Sequence, residues 1–221
     1  MTLHSHQLKP RRFSRRILVV VLVVLCLFFW LLTYHGQRHF NFSNTFIPSP
    51  ENIAHQAIAL KGKMYDPMQG GFNNIGGRLG LIVCADVPNI SYGRAGFSLK
   101  SALREQYELQ PTAFDTTNGN TPQNPFFHRR SRNLYAYFKS SGQLIPPNGQ
   151  AQQADIAFFA PGRHAPVVHV AVVSRVMSDD FYVVESAPET IFAREVSEAA
   201  MIKKGWTLVG LGRLSPNKPN N

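Results

Sequence analysis

Hydrophobic positions change their spacing several times along this chain. From Ile17 to Tyr34 almost every residue is apolar, with Val19 to Leu25 and Phe28 to Leu32 unbroken. A bilayer core is crossed by about 20 apolar residues, so this run predicts one membrane-spanning helix with Trp30 and Tyr34 at the interface. Further on, apolar residues recur at helical spacing. Ile53, Ala54, Ala57, Ile58 and Leu60 form one stripe over Glu51–Lys61, and Leu99, Ala102, Leu103 and Tyr107 form another over Phe97–Tyr107. Each stripe predicts a helix packed on a core. Arg132–Ser141 predicts another short helix. From Ala151 the spacing shortens. Ile156–Ala160, Val167–Val176, Phe181–Ser186 and Trp206–Arg213 are rich in Val, Ile, Phe and Tyr and are separated by turn residues, which predicts strands. Ser178-Asp179-Asp180 predicts a hairpin turn, making the second and third strands antiparallel neighbours.

Glycine and proline mark the joints. Gly70, Gly71, Gly76, Gly77 and Gly80 predict a loop leading into Leu79–Cys84, and the Thr, Asn, Gly and Pro of Pro111–Pro125 predict a mobile loop. Helices come first and strands later, with no internal repeat, so the fold class is α+β rather than alternating βαβ. The organisation expected is a basic segment over 1–16, a transmembrane helix over 17–34, a linker over 35–50, one domain over 51–215 and a tail over 216–221.

Charge supports that division. Lys9, Arg11, Arg12, Arg15 and Arg16 precede the apolar run with no acid among them, which holds that end in the cytoplasm and places the domain outside. A cleaved signal peptide would need small residues at a cleavage site, and Thr33-Tyr34-His35-Gly36-Gln37-Arg38 offers none. The chain carries +10 overall. Six of its 23 Lys and Arg, and none of its 13 acids, precede Glu51, so the rest carries only +4. No basic stripe interleaves with aromatics, which argues against nucleic acid as a partner. A mildly positive face suits an anionic wall polymer, although an ordinary solvated basic surface explains it better.

The chain has 2 cysteines. Cys26 lies in the apolar run as a small packing residue, which leaves Cys84 alone in the exported part. A leftover exported thiol is a bridge to another chain, a working thiol or an inert buried residue. Cys84 follows the glycine-rich stretch and precedes Ala85-Asp86-Val87. A thiol in the first turn of a helix is stabilised in its negative form by unpaired N–H groups. Pro88 then falls near the fourth helical position, which is tolerable.

Two further polar positions interrupt apolar strands. His169 lies within Val167–Val173, where a lone histidine is ordinarily a satisfied core residue. Glu185 lies in Tyr182–Ser186, on the strand predicted to pair with that of His169, where it could hold the second imidazole nitrogen. A thiol, a histidine on a strand and an orienting carboxylate on the next strand together make the nucleophile, base and orienter of a thiol hydrolase.

Ala154–Phe159, His169–Val173 and Tyr182–Ser186, preceded by Leu60–Tyr65 and Leu81–Val87, resemble the papain-like cell-wall hydrolases, the NlpC-type peptidases and related CHAP domains. The resemblance runs from about Ile53 to Arg213. It implies a papain-like α+β domain with N-terminal helices packed on an antiparallel sheet. It also implies Cys84 as nucleophile, His169 as base and Glu185 as orienting residue, with a Tyr65 hydroxyl near the thiol, although a core role suits Tyr65 better. Where the family has glycine before the aspartate of the first strand, this chain has Ala154. The reading is a cysteine hydrolase anchored in the cell inner membrane, cleaving an amide bond in peptidoglycan peptides without metal or organic cofactor. An inactive binding module of the same fold, or an amidase or acyltransferase on a non-wall substrate, are the alternatives. His55, His128, His164 and Glu195 show no metal-ligand spacing. Phe126–Arg130 is a candidate lining for a substrate groove.

Overall fold

The computed structural model describes residues 47–215. The expected span Ile17–Tyr34, most of the linker and the tail lie outside the described residues. Among those described, no helix is long and apolar enough to cross a membrane. In chain order they form α1 (Pro50–Ile58), α2 (Gly71–Arg78), α3 (Asp86–Ala95), α4 (Leu99–Leu109), α5 (Ser131–Ser140), β1 (Leu144–Ile145), β2 (Ile156–Ala160), β3 (His169–Val176), β4 (Phe181–Glu185), β5 (Arg194–Ser197), α6 (Glu198–Lys203) and β6 (Thr207–Gly212).

The fold is α+β. The six strands form one sheet in the order β1-β6-β2-β3-β4-β5, with every neighbouring pair antiparallel. The alternation of side chains along each strand explains the two layers against it. Ile156, Phe158, Val170, Val172 and Val184 join Leu60, Tyr92, Leu99, Leu103 and Phe138 in the main core. Ala157, Phe159, Ala171, Val173 and Val183 face the other way, packing with Met201 of α6 and Trp206. Each such buried Val, Ile or Phe contributes roughly 1.5–3 kcal/mol. A polar group inside strands buried on both faces is tolerated only where partners satisfy it.

Local chemistry sets the helix ends. Ser49 accepts a hydrogen bond from the Asn52 backbone N–H at 3.3 Å, and Pro50 takes the first turn, where its missing N–H is not needed. Pro48-Ser49-Pro50 is therefore the start of a helix as well as the end of a linker. From there α1 buries Ile53, Ala54 and Ala57 and packs against α3 and β3.

Three expectations change. The glycine-rich stretch is helical over Gly71–Arg78 rather than a loop. A Cβ on Gly76 would collide with the Asp66 carboxylate, and one on Gly70 (φ +89°) with Phe126 and Arg129. At Gly76, close packing overrides the poor helix propensity of glycine. Pro111–Pro125 contains two short 3-10 turns pinned to the body by Asn120. Its amide exchanges two 2.8 Å hydrogen bonds with that of Asn133 on α5. Finally, β1, β5 and α6 were not expected, because each is too short or too polar to show a period.

Candidate active site

The turn that carries Cys84 is closed from both sides. The Asp86 carboxylate accepts a hydrogen bond from the Val83 N–H, and the Asp86 N–H donates to the Val83 carbonyl, each at 2.9 Å. This reciprocal cap puts half-buried Cys84 in the turn that opens α3, with Pro88 in the helix's first turn. The backbone N–H groups of Cys84 and Ala85 donate no hydrogen bond within the described residues.

The same carboxylate is gripped from behind. Arg129 donates to Asp86 through Nε at 2.8 Å and Nη2 at 2.6 Å. It reaches Asn74 Oδ1 at 2.7 Å and Asp66 Oδ2 at 3.4 Å. Asp66 in turn accepts the N–H groups of Met68 and Gly70. One guanidinium, 6% exposed, thus ties α2 and the Asp66 loop to the turn of the thiol. Its planar set of donors suits this bidentate work as an ammonium would not.

His169 opens β3 and Glu185 closes β4. Val172 pairs with Val184 in this antiparallel hairpin, so Glu185 lies opposite Ala171, two residues from His169 and on the same face. The side chains span that diagonal: His169 Nε2 and Glu185 Oε2 are 2.8 Å apart. Both are buried, at 4% and 1% exposure. Since Nε2 is engaged by Glu185, Nδ1 is the ring nitrogen left for Cys84, which lines the same cleft. The structure thus brings together the three residues singled out in the sequence.

Burial by itself lowers the proton affinity of His169. The hydrogen bonds and charges of Cys84 and Glu185 more than offset it, raising its pKa to about 9. For Glu185, burial pushes the carboxyl up, and His169 and Arg194 outweigh that, leaving it below the usual carboxylate range.

Arg194 was not found from the sequence. It faces Glu185 directly across the β4–β5 ladder and donates from Nε (3.0 Å) and Nη2 (2.8 Å) to Oε1. The signal for it is the alternation in Arg194-Glu195-Val196-Ser197, too short to stand out. Trp206 was missed as well. Its ring stacks on the imidazole, and Phe159 approaches from 6.2 Å.

These residues border an open cleft of about 590 Å³ lined by Cys84, His169, Tyr65, Phe126, Arg130 and Trp206 among others. Tyr65 is therefore not a core residue: it is half-buried at the cleft, its hydroxyl accepting from Gln69 at 3.0 Å. Burial raises its pKa, so it remains a neutral hydroxyl. Of Phe126–Arg130, Phe126, Arg129 and Arg130 line the cleft, whereas Phe127 is in the core and His128 borders a separate hollow. Among the described residues, no group of three or more His, Cys, Asp or Glu is placed to hold a metal.

Among solved structures, "Structure of NlpC1 from Trichomonas vaginalis" is similar at 13% identity and a TM-score of 0.44, covering 80% of this chain and 48% of that one. The chain thus spans about half the length of that protein. A search of curated proteins finds no match. Residues 69–199 match the family described as Domain of unknown function (DUF1287). That stretch is more than half of the chain and holds Cys84, Arg129, His169, Glu185 and Arg194, and the protein belongs to the DUF1287 family.

Proposed function

We propose that this protein is a cysteine hydrolase of papain-like fold that cleaves an amide bond in peptidoglycan peptides. The observation that carries the reading is the placement of Cys84 and His169 together on the wall of one open cleft, with His169 Nε2 hydrogen-bonded to buried Glu185 behind it. In the reaction, the thiol proton already resides on His169 in a resting thiolate–imidazolium pair, and Sγ attacks the scissile carbonyl carbon. The N–H groups of Cys84 and Ala85, which donate to no other group among the described residues, are available to the oxyanion. The tetrahedral intermediate collapses as His169 hands its proton to the leaving amine, which leaves a thioester on Cys84. Water, losing its proton to His169, then releases the acid and restores the thiolate–imidazolium pair. A histidine with its pKa raised to about 9 carries a proton at neutral pH, which suits the donation step.

The reading also places the protein in the cell inner membrane by Ile17–Tyr34, with the domain on the wall side. That placement rests on the basic cluster ahead of the run. A reporter fused after Asn221 should be active only if it works in the exported compartment, and activity of a cytoplasmic reporter there would reverse the orientation.

For the chemistry, the full chain in detergent is incubated with wall-derived peptides and the release of new amines is followed. Turnover should vanish in Cys84→Ser and His169→Ala, and the double variant should lose little more than either alone. Glu185→Gln should be milder, because an amide oxygen still accepts from the imidazole. The alkaline limb of kcat/KM should fall near pH about 9, where His169 loses its proton. Equal turnover by the parent and His169→Ala would sink the triad. Hydrolysis of model amides but not of wall peptides would move the substrate elsewhere.

A further inference from the structure

We propose that Arg194 is a positioning residue of the same site, acting through Glu185 to keep the carboxylate ionised and turned toward His169. The proposal deepens the reading of Cys84 as a nucleophile activated by His169, and rests on it.

The two carboxylate oxygens of Glu185 are divided between two partners on opposite sides. Oε1 takes both hydrogen bonds from Arg194, at 3.0 and 2.8 Å, while Oε2 takes the one from His169 at 2.8 Å. Rotation of the carboxyl about its own axis would break all of them together, so the guanidinium fixes the plane in which Oε2 meets the ring. The strands pre-set this. Arg194 and Glu185 are register partners on adjacent strands, and His169 is on the diagonal of the next.

Exposure makes the pair asymmetric. Glu185 is 1% exposed at its side chain and Arg194 is 37% exposed. An exposed ion pair is worth little. Here, however, removing the cation strips Oε1 of its two donors while the oxygen stays buried, and a buried carboxylate deprived of donors takes up a proton. The charged groups acting on Glu185 are His169 from β3 and Arg194 from β5. Glu195, next along β5, is engaged instead with Lys61, Ser174 and Arg175. Cys84 acts through His169. Among the described residues, no other Lys or Arg bonds the Glu185 carboxylate.

The test is the pH dependence of Cys84 alkylation by iodoacetamide in the full chain, read by peptide mapping so that Cys26 does not contribute. Arg194→Met should move the acid limb of the profile toward neutral pH, cutting the rate tenfold or more on the acid side and leaving the alkaline plateau within about twofold, on the usual scale of one pH unit per tenfold. Arg194→Lys, which keeps the charge, should restore most of the acid limb. Arg194→Met combined with Glu185→Gln should match Glu185→Gln alone, since Arg194 has no other route to the ring. A uniform loss at all pH values, a profile superimposable on the parent, or a double variant clearly worse than Glu185→Gln would overturn the proposal. Alkylation needs no amide substrate, so absence of peptide hydrolysis would count against the proposed function and leave this inference standing.

Discussion

The imidazole of His169 lies on the indole of Trp206, with ring centroids 5.1 Å apart and planes inclined by 29°. Trp206 is only half-buried, and its indole covers one face of the imidazole. Shielding that face from water strengthens the polar contacts of the ring. Trp206→Ala should lower kcat/KM by about tenfold and stability by about 2–3 kcal/mol, while Trp206→Phe keeps most of both. Retained activity in the alanine variant would show that the indole is only a wall of the cleft.

Arg129 makes a separate prediction about stability. Its guanidinium is the partner of two buried carboxylates, Asp66 and Asp86, and the second also caps the turn of Cys84. Arg129→Met leaves both carboxylates without a counterion and should cost about 3–5 kcal/mol in denaturant unfolding. Arg129→Lys should recover only part, because one ammonium cannot bond Asp86 twice and still reach Asn74. An unchanged midpoint in the methionine variant would mean the network is not under load.

His128 predicts the acid side of the stability curve. Burial, with Lys100, Arg129 and Arg104 nearby, lowers its pKa to about 4 in the folded protein. In the unfolded chain histidine titrates near about 6.5. Between those values the unfolded state binds more protons, so stability falls as pH drops through that window and is steady above it. The loss should be on the order of 2 kcal/mol, and His128→Gln should flatten this part of the curve relative to the parent. Parallel curves for the two proteins would refute it.

Cys84, His169 and Glu185 are legible in the sequence because each interrupts an apolar stretch or stands alone in its type. The β3–β4 hairpin is legible because Ser178-Asp179-Asp180 separates two strongly apolar runs. Arg194 and Trp206 are not, since they lie on a short polar strand and in a connection, and only the register brings them to the site. The glycines of α2 mislead for a related reason: local propensity indicates a loop, and the close approach of Gly76 to Asp66 decides otherwise. Ala154 is an intermediate case. It stands where the resembling family has glycine, and its φ is +72°, in the left-handed region. Ala154→Gly should therefore stabilise the domain, by about 0.5–1 kcal/mol in thermal unfolding. A destabilised variant would show that the buried methyl outweighs the strained backbone.

The central claim is that His169 activates the thiol of Cys84, and the most direct measurement is the alkylation rate of Cys84 by iodoacetamide at pH about 6, where an ordinary thiol is almost wholly protonated. In the folded parent the rate should exceed that of the same residue after denaturation, and His169→Ala should reduce it tenfold or more. Alkylation of Cys84 only after denaturation, or at a rate indifferent to His169→Ala, would make it a structural residue and contradict the account.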